Sequence, residues 1–187
     1  ILEAARQESP NVVAYPDFLD WQQQTKVFAD MAAYQLATFN LTGADEPERV
    51  PGLRITANFF RTLGVKPALG RDFLAEEDEP GGSAVLLLTH RLWERRFGAD
   101  PAVIGRTVPL NGSGHVVVGV LPPGVVAYDK AQAFVPLGPQ KPRLMSRGLR
   151  DALWVKGRLK PGVTRAQAQA ELDVIASVQP IHATSDM

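Results

Sequence analysis

Apolar residues recur along this chain at two spacings. Near the start, Phe18 and Trp21, with Leu19 beside them, share one side of a helical repeat, and Gln22, Gln23 and Gln24 take the other. Pro16 with Asp17 and Asp20 close behind is a helix-start signature, so a helix is predicted from Pro16 to Thr25. Met31 to Leu41 then carries β-formers (Tyr34, Leu36, Thr38, Phe39) and closes on Thr42-Gly43, which reads as a strand. After a polar turn from Ala44 to Pro47, Glu48 to Thr56 reads as a second strand, antiparallel to the first because the link is short.

Thr56 is placed to cap a helix through Asn58, Phe59, Phe60 and Leu63, ended by Gly64. A long connecting loop follows, through Pro67, Gly70 and the acidic stretch Glu76-Glu77-Asp78-Glu79-Pro80-Gly81-Gly82. Ala84 to Leu88 is wholly apolar and bounded by turn signals, the mark of a central strand buried on both faces. Thr89 caps the next helix, with Leu92, Trp93 and Phe97 inward, Arg91, Glu94, Arg95 and Arg96 outward, and Gly98 at its end. Asp100-Pro101 opens one further turn, carrying Val103 and Ile104 inward.

Thr107–Leu110 and His115–Leu121 form a hairpin across Asn111-Gly112-Ser113-Gly114, since Asn-Gly supplies the positive φ angles tight hairpins need. Ala133 to Leu137 is a short strand framed by prolines, and Gln140 to Arg150 reads as a basic, irregular, mobile loop. Leu153, Val155 and Gly157 alternate with Trp154, Lys156 and Arg158 in a last strand. After Pro161-Gly162, Thr164 and Gln167 make a capping box for a helix with Ala166, Ala170, Leu172 (or Asp173), Ile175 and Ala176 as its apolar positions, stopped by Pro180. Irregular alternation of strands and helices with a hairpin is α+β rather than doubly wound.

Composition adds bounds. The 187 residues suit one generous domain or two small lobes, and 45% hydrophobic content supports a core. Twenty basic and twenty acidic residues leave no net charge, which argues against a nucleic-acid partner and against anionic lipid. Without cysteine there is no disulfide, thiolate metal site or thiol nucleophile, and the compartment stays open. The longest apolar runs, such as Ala84–Leu88 and Val116–Leu121, fall far short of the roughly 20 residues of a membrane helix. Ile1 is not a usual start, so the chain is read as a segment of a longer polypeptide.

The search for chemistry returns no catalytic, cofactor-binding or metal-binding residues. His90, His115 and His182 lack helical ligand spacing, and His115 sits in a strand without an acidic neighbour. None of Ser9, Ser83, Ser113, Ser146, Ser177 or Ser185 stands in a nucleophile elbow, and Gly81-Gly82 is no phosphate loop. The run Glu76–Glu79 lacks the spacing of a calcium loop and reads as a solvated loop. Arg91, Arg95 and Arg96 read as a solvated helix face over a buried Trp93, and Phe59-Phe60 as core.

Taken together, several segments resemble the MacB-like periplasmic core domain of FtsX-like ABC transporter permeases. They are Tyr15-Pro16-Asp17-Phe18-Leu19-Asp20-Trp21, Phe28 to Tyr34, Phe39-Asn40-Leu41-Thr42-Gly43, Glu46 to Val50, Thr56-Ala57-Asn58-Phe59-Phe60 and Leu63 to Arg71. Leu92 to Gly98, Asp100 to Gly105, Val117 to Gly124, Phe134 to Leu137 and Gly157 to Thr164 continue the likeness, which spans Asn11 to Ala176. The tail after Val178 departs from it. No single motif is specific; their order and spacing are.

The resemblance implies one domain over 1–187, with a porter-like βαβ lobe, mixed sheets with packed helices and a smaller second lobe near 75–150. It implies a non-enzymatic extracytoplasmic domain, set between two membrane helices on the periplasmic face of a bacterial inner membrane. That domain transmits ATP-driven work done by a cytoplasmic ATPase, in export or mechanotransmission. A periplasmic adaptor and a dimeric parent are further implied partners, and no cofactor is implied. Loops such as Lys141–Arg150 would be contact surfaces. The alternative is a stand-alone binding module for a small hydrophobic ligand or peptide.

Overall fold

The computed structural model describes residues 2–3, 13–43, 46–125, 130–145 and 153–178. Nine strands and five α-helices alternate irregularly among them: β1 (Leu2–Glu3), α1 (Tyr15–Gln24), β2 (Phe28–Leu41), β3 (Glu48–Ile55), α2 (Phe59–Leu63), β4 (Leu69–Gly70), β5 (Val85–Leu88), α3 (His90–Phe97), β6 (Thr107–Leu110), β7 (Ser113–Val120), β8 (Ala133–Pro136), α4 (Lys141–Leu144), β9 (Trp154–Leu159) and α5 (Arg165–Val178). The fold is α+β with a mixed sheet, as the pattern of elements requires.

The strands pair in the order β1-β9-β2-β3-β8-β5-β7-β4, and β6 joins both β2 and β7. β3 with β8 and β5 with β7 are parallel; the other pairs are antiparallel. Because β6 touches β2 at Leu41–Leu110 and pairs along β7, the circuit β2-β3-β8-β5-β7-β6 closes on itself. The amides of Thr42 and Asn111 seal that seam on the carbonyls of Pro109 (3.1 Å) and Asn40 (2.9 Å).

Period-two alternation sorts the side chains into separate cores. Phe39, Leu41, Val50, Leu86, Leu88, Val108, Leu110, Val117, Val120, Ala133 and Val135 come from all six strands of the closed circuit and cluster with Leu92 of α3. Tyr34, Leu53, Ile55, Val85, Leu87 and Phe134 turn the other way and meet Phe59 and Phe60 of α2. Val85–Leu88 is therefore buried on both faces, as its unbroken apolar run predicts. Rings in the second core sit edge to face, with centroids 5.0 Å apart for Phe60–Phe134 and 5.5 Å for Tyr34–Phe59, each worth about 0.5–1.5 kcal/mol beyond area burial. A third cluster holds α1, α4 and α5 against β9 and the first half of β2 through Tyr15, Phe18, Met31, Leu144, Leu153, Val155 and Leu172.

Several expectations change. Thr56 does not cap α2; Asn58 holds that position, and the Thr56 hydroxyl accepts from the Ala33 amide and donates to Asn58. The presumed long loop contains β4, paired with β7, and a 3-10 turn over Ala75–Asp78. The hairpin loop is two residues, not four, because Leu110 pairs with Ser113; Asn111 and Gly112 carry φ of 52° and 79°. The first part of Gln140–Arg150 is ordered, a 3-10 turn leading into α4, and 146–150 lie outside the described residues. In α5 the buried positions are Ala168, Leu172 and Ile175, spaced i, i+4, i+7, whereas Ala166 and Ala170 face solvent. The Thr164–Gln167 capping box forms in both directions, at 2.9 and 3.3 Å.

Candidate functional site: a cleft above a buried ion pair

Helix α1 begins with Pro16 in its first turn, where a missing N–H costs nothing. Tyr15, Phe18, Leu19 and Gln22 then fall at i, i+3, i+4 and i+7, so one face of the helix becomes a wall. Across from it stand Thr56, Ala57, Asn58, Arg61, Phe73 and Ala75, and Asp78, Glu79 and Lys141 complete the lining. The cleft between them holds about 380 Å³.

The far wall is pinned by polar side chains of the Thr-Ala-Asn-Phe-Phe segment. Asn58 donates from Nδ2 to Asp30 Oδ1 at 2.7 Å and to the Met31 carbonyl at 2.9 Å. Thr62 donates to Asp30 Oδ2 at 2.9 Å. Asn58 and Thr62 thus fasten this segment and the helix after it to β2 while Phe59 and Phe60 fill the core.

Below the cleft lies a buried ionic junction. The Asp78 carboxylate accepts from the Ala57 amide at 3.1 Å and the Gly138 amide at 2.7 Å, with Lys141 Nζ at 3.4 Å. Lys141 also donates to Glu79 at 3.0 Å, and Tyr15 lines the same cleft. One carboxylate thus ties together the start of α2, the Ala75–Asp78 turn and the start of α4. Gly138 is required there, since a Cβ would sit 2.5 Å from the Asp78 carbonyl carbon. Burial pushes the Asp78 carboxyl above its ordinary value against the pull of Lys141 and the two amides. Burial pulls the Lys141 ammonium down, but Glu79, Asp78 and Tyr15 outweigh it and hold it above its ordinary value. The Tyr15 phenol is raised by burial and by the neighbouring carboxylates.

The next residue back makes a second clasp. Arg71 grips Glu77 with both guanidinium nitrogens, at 2.9 and 2.6 Å, and Glu77 also accepts from the Leu74 amide at 2.8 Å. Burial raises the Glu77 carboxyl, but Arg71 and the Leu74 amide overcome it and hold it below the ordinary range. The acidic run Glu76–Glu79 is therefore only half solvated: Glu76 and Glu79 are exposed, as the sequence predicts, but Glu77 and Asp78 are each only 5% exposed. Spacing to its partners was the signal available, because Arg71 stands six residues before Glu77; Lys141 is too distant in sequence to read.

Other candidates stay apart from the cleft. His90 pairs with Glu94 at 3.1 Å along α3, His115 bonds the Ser113 carbonyl at 3.0 Å, and His182 lies outside the described residues. No group of three or more metal-ligating side chains converges among the described residues. Ser83 and Ser113 are exposed; Ser9, Ser146 and Ser185 lie outside the described residues, and Ser177 falls within α5. Arg95 binds Glu48 (2.6 Å) and Gln132 (2.9 Å), and Arg96 binds the Glu46 carbonyl (2.9 Å), so these arginines hold α3 to neighbouring segments. Trp93 is half-buried rather than buried and donates to the Asp100 carbonyl at 2.9 Å. No helix among the described residues is long and apolar enough to cross a membrane.

With β1 beside β9, helices packed on the sheet and buried polar side chains tying its segments together, the fold is that of an α+β domain built on one mixed sheet. The family model described as the MacB-like periplasmic core domain matches residues 3–175, and the chain belongs to that family. The structure is similar to the periplasmic region of MacB from Actinobacillus actinomycetemcomitans, at 17% identity and a TM-score of 0.66 over 86% of this chain and 72% of that one. It is also similar to the extracellular domain of the noncanonic ABC-type transporter YknZ from Gram-positive bacteria (16% identity, TM-score 0.64, 91% of this chain and 86% of that one). A domain of a putative permease protein from Porphyromonas gingivalis gives 16% identity and 0.58 over 85% and 68%. No curated protein matches the sequence.

Proposed function

We propose that this domain is the non-enzymatic extracytoplasmic part of an ABC transporter permease, transmitting movement driven by a cytoplasmic ATPase to work outside the membrane. The family match over 3–175 carries the reading. The build supports it. β1 pairs with β9, and the Glu171 carboxylate of α5 accepts from the Thr25 hydroxyl (2.6 Å) and the Lys26 amide (2.9 Å) just after α1. The incoming and outgoing ends of the domain are thus clamped together, the geometry needed by a body carried between two consecutive membrane helices. The closed strand circuit makes that body stiff, and a stiff body passes on displacement rather than absorbing it. A periplasmic adaptor and a second copy of the permease are the partners this role calls for.

The chain has no cysteine, so in a parent permease whose other cysteines are replaced a single introduced thiol reports its own location. In intact cells making the parent permease, Arg91→Cys on the exposed face of α3 should react with a membrane-impermeant maleimide. Labelling only after permeabilisation would overturn the assignment to the outer face. A disulfide across Thr25→Cys and Glu171→Cys tests the stiff-body reading: it should leave transport and the transport-linked ATPase rate unchanged, and a loss of either would show that α1 and α5 have to part during transport.

A further inference from the structure

We propose that the open edge of β2 between Tyr34 and Asn40 takes up an extended segment of another polypeptide as an added strand, one that carries a carboxylate between two apolar residues. The edge is the first observation. On the side of β2 away from β3, β9 pairs as far as Tyr34, and the turn between β6 and β7 takes over at Asn40, whose carbonyl accepts from the Asn111 amide at 2.9 Å. The residue before β9, Leu153, bonds Val13 and not β2. Period two turns the N–H and C=O of Leu36 and Thr38 the same way as those of Asn40. Among the described residues nothing bonds them. The stretch Gln35-Leu36-Ala37-Thr38-Phe39-Asn40 has no charge and no proline, so it lacks the usual guards of a bare edge.

Shape and charge choose the occupant. The steps from Tyr34 to Asn40, at about 3.4 Å each, leave a slot about 20 Å long, closed at both ends by chain in the plane of the sheet. The edge is recessed by one strand width, so a second copy would strike it first with its own β9 and turn, whereas a single extended chain fits. β9 and β6 both run antiparallel to β2, and an added strand continues that pattern. Its alternate residues fall on two faces. On one, Leu36 is 42% exposed, next along from Tyr34 and the Trp154 ring stacked on it at 5.7 Å, and this face suits apolar side chains. On the other, Arg54 reaches back over β2, its guanidinium carbon 5.7 Å from the centre of the Phe39 ring. Arg54 is half-buried, burial pulls its guanidinium below the ordinary value, and no carboxylate answers it among the described residues. A Glu side chain opposite Ala37, one strand spacing (about 4.8 Å) beyond β2, comes within its reach. The site does not depend on the transport role.

The test is an amide-resolved NMR titration of this chain with a capped Thr-Val-Glu-Val-Thr peptide. Two companions complete the set: the same peptide with Gln for Glu, and one N-methylated at both valines, which removes the donors that would face β2. Without peptide, the Leu36 and Thr38 amides should exchange with solvent unprotected, and their shifts should not depend on protein concentration. The Glu peptide should give saturable shifts at Leu36, Thr38, Trp154 and Asn111 and slow that exchange. The Gln peptide should bind about tenfold more weakly, and the N-methylated one should not bind. Arg54→Gln should bring the Glu peptide down to the Gln peptide's affinity; the peptide swap reads the same charge should that variant fail to fold. Amides already protected in the free chain would mean that the chain covers its own edge, and concentration-dependent shifts there would mean that a second copy does. Either result, absence of saturable shifts, or equal binding of the Gln or the N-methylated peptide would overturn the proposal.

Discussion

Glu77 shows how one side chain can stabilise a loop that looks solvated. It satisfies a two-pronged arginine and a backbone amide while almost fully buried. Glu77→Gln keeps the volume but loses the charge, and charge-assisted hydrogen bonds contribute about 1.5–3 kcal/mol each. Chemical denaturation at neutral pH should show a loss of about that size. The pH dependence follows from the direction of the shift. A carboxyl held below its unfolded value contributes stability above about pH 4.3, the ordinary glutamate value, and loses it as pH falls through the folded value. The variant should therefore have a shallower acid limb than wild type, and parallel limbs would refute the role given to the pair. At the alkaline end the directions reverse. Lys141 and Tyr15 are both raised, so their contribution is present below about pH 10 and drains away above it.

Among the elements, α5 is the clearest case of local information. Its start is written in Thr164 and Gln167, and the reciprocal bonds form as that spacing requires. Thr164→Ala should cost about 1 kcal/mol, read as a drop in melting temperature, while Thr164→Ser should retain most of it. No difference between the two would mean the helix is held by tertiary contacts alone. Leu172 and Ile175 are buried as the pattern predicts, but Ala166 and Ala170 are not, because alanine scores as apolar whether or not it is covered. Ala168 and Leu172 pack into the third cluster and Ile175 is buried, whereas Ala166 and Ala170 are not part of that core. β4 was missed because a two-residue strand has no period to detect; it exists only because β7 is beside it.

At the level of the whole molecule, the seam between β2 and β6 closes the strand circuit with one residue pair and two flanking amide bonds. Leu110, 1% exposed, packs there inside the six-strand core. Leu110→Ala should cost about 2–5 kcal/mol, and hydrogen exchange should show the amides of Thr42 and Asn111 losing protection before the centre of the sheet. Uniform loss across all strands would show instead that the seam is no weaker than the rest. Family membership rests at this scale too, on the order of many weak segments from residue 3 to 175 rather than on any one of them.

The sequence by itself determined the α+β class, the two-sided burial of Val85–Leu88, the Asn111-Gly112 hairpin, the caps at Thr89 and Thr164, and the family resemblance. Each depends on residues within a few positions of one another, where backbone geometry fixes what can meet. Only the tertiary structure decided the closed circuit, the cleft and the Asp78 junction. Asp78 meets Ala57, Gly138 and Lys141, whose separations along the chain carry no period and no local geometry. A charge in a polar run reads the same whether water or a buried lysine faces it. Folding alone supplies the partner, and with it the difference between a solvated loop and the floor of a site.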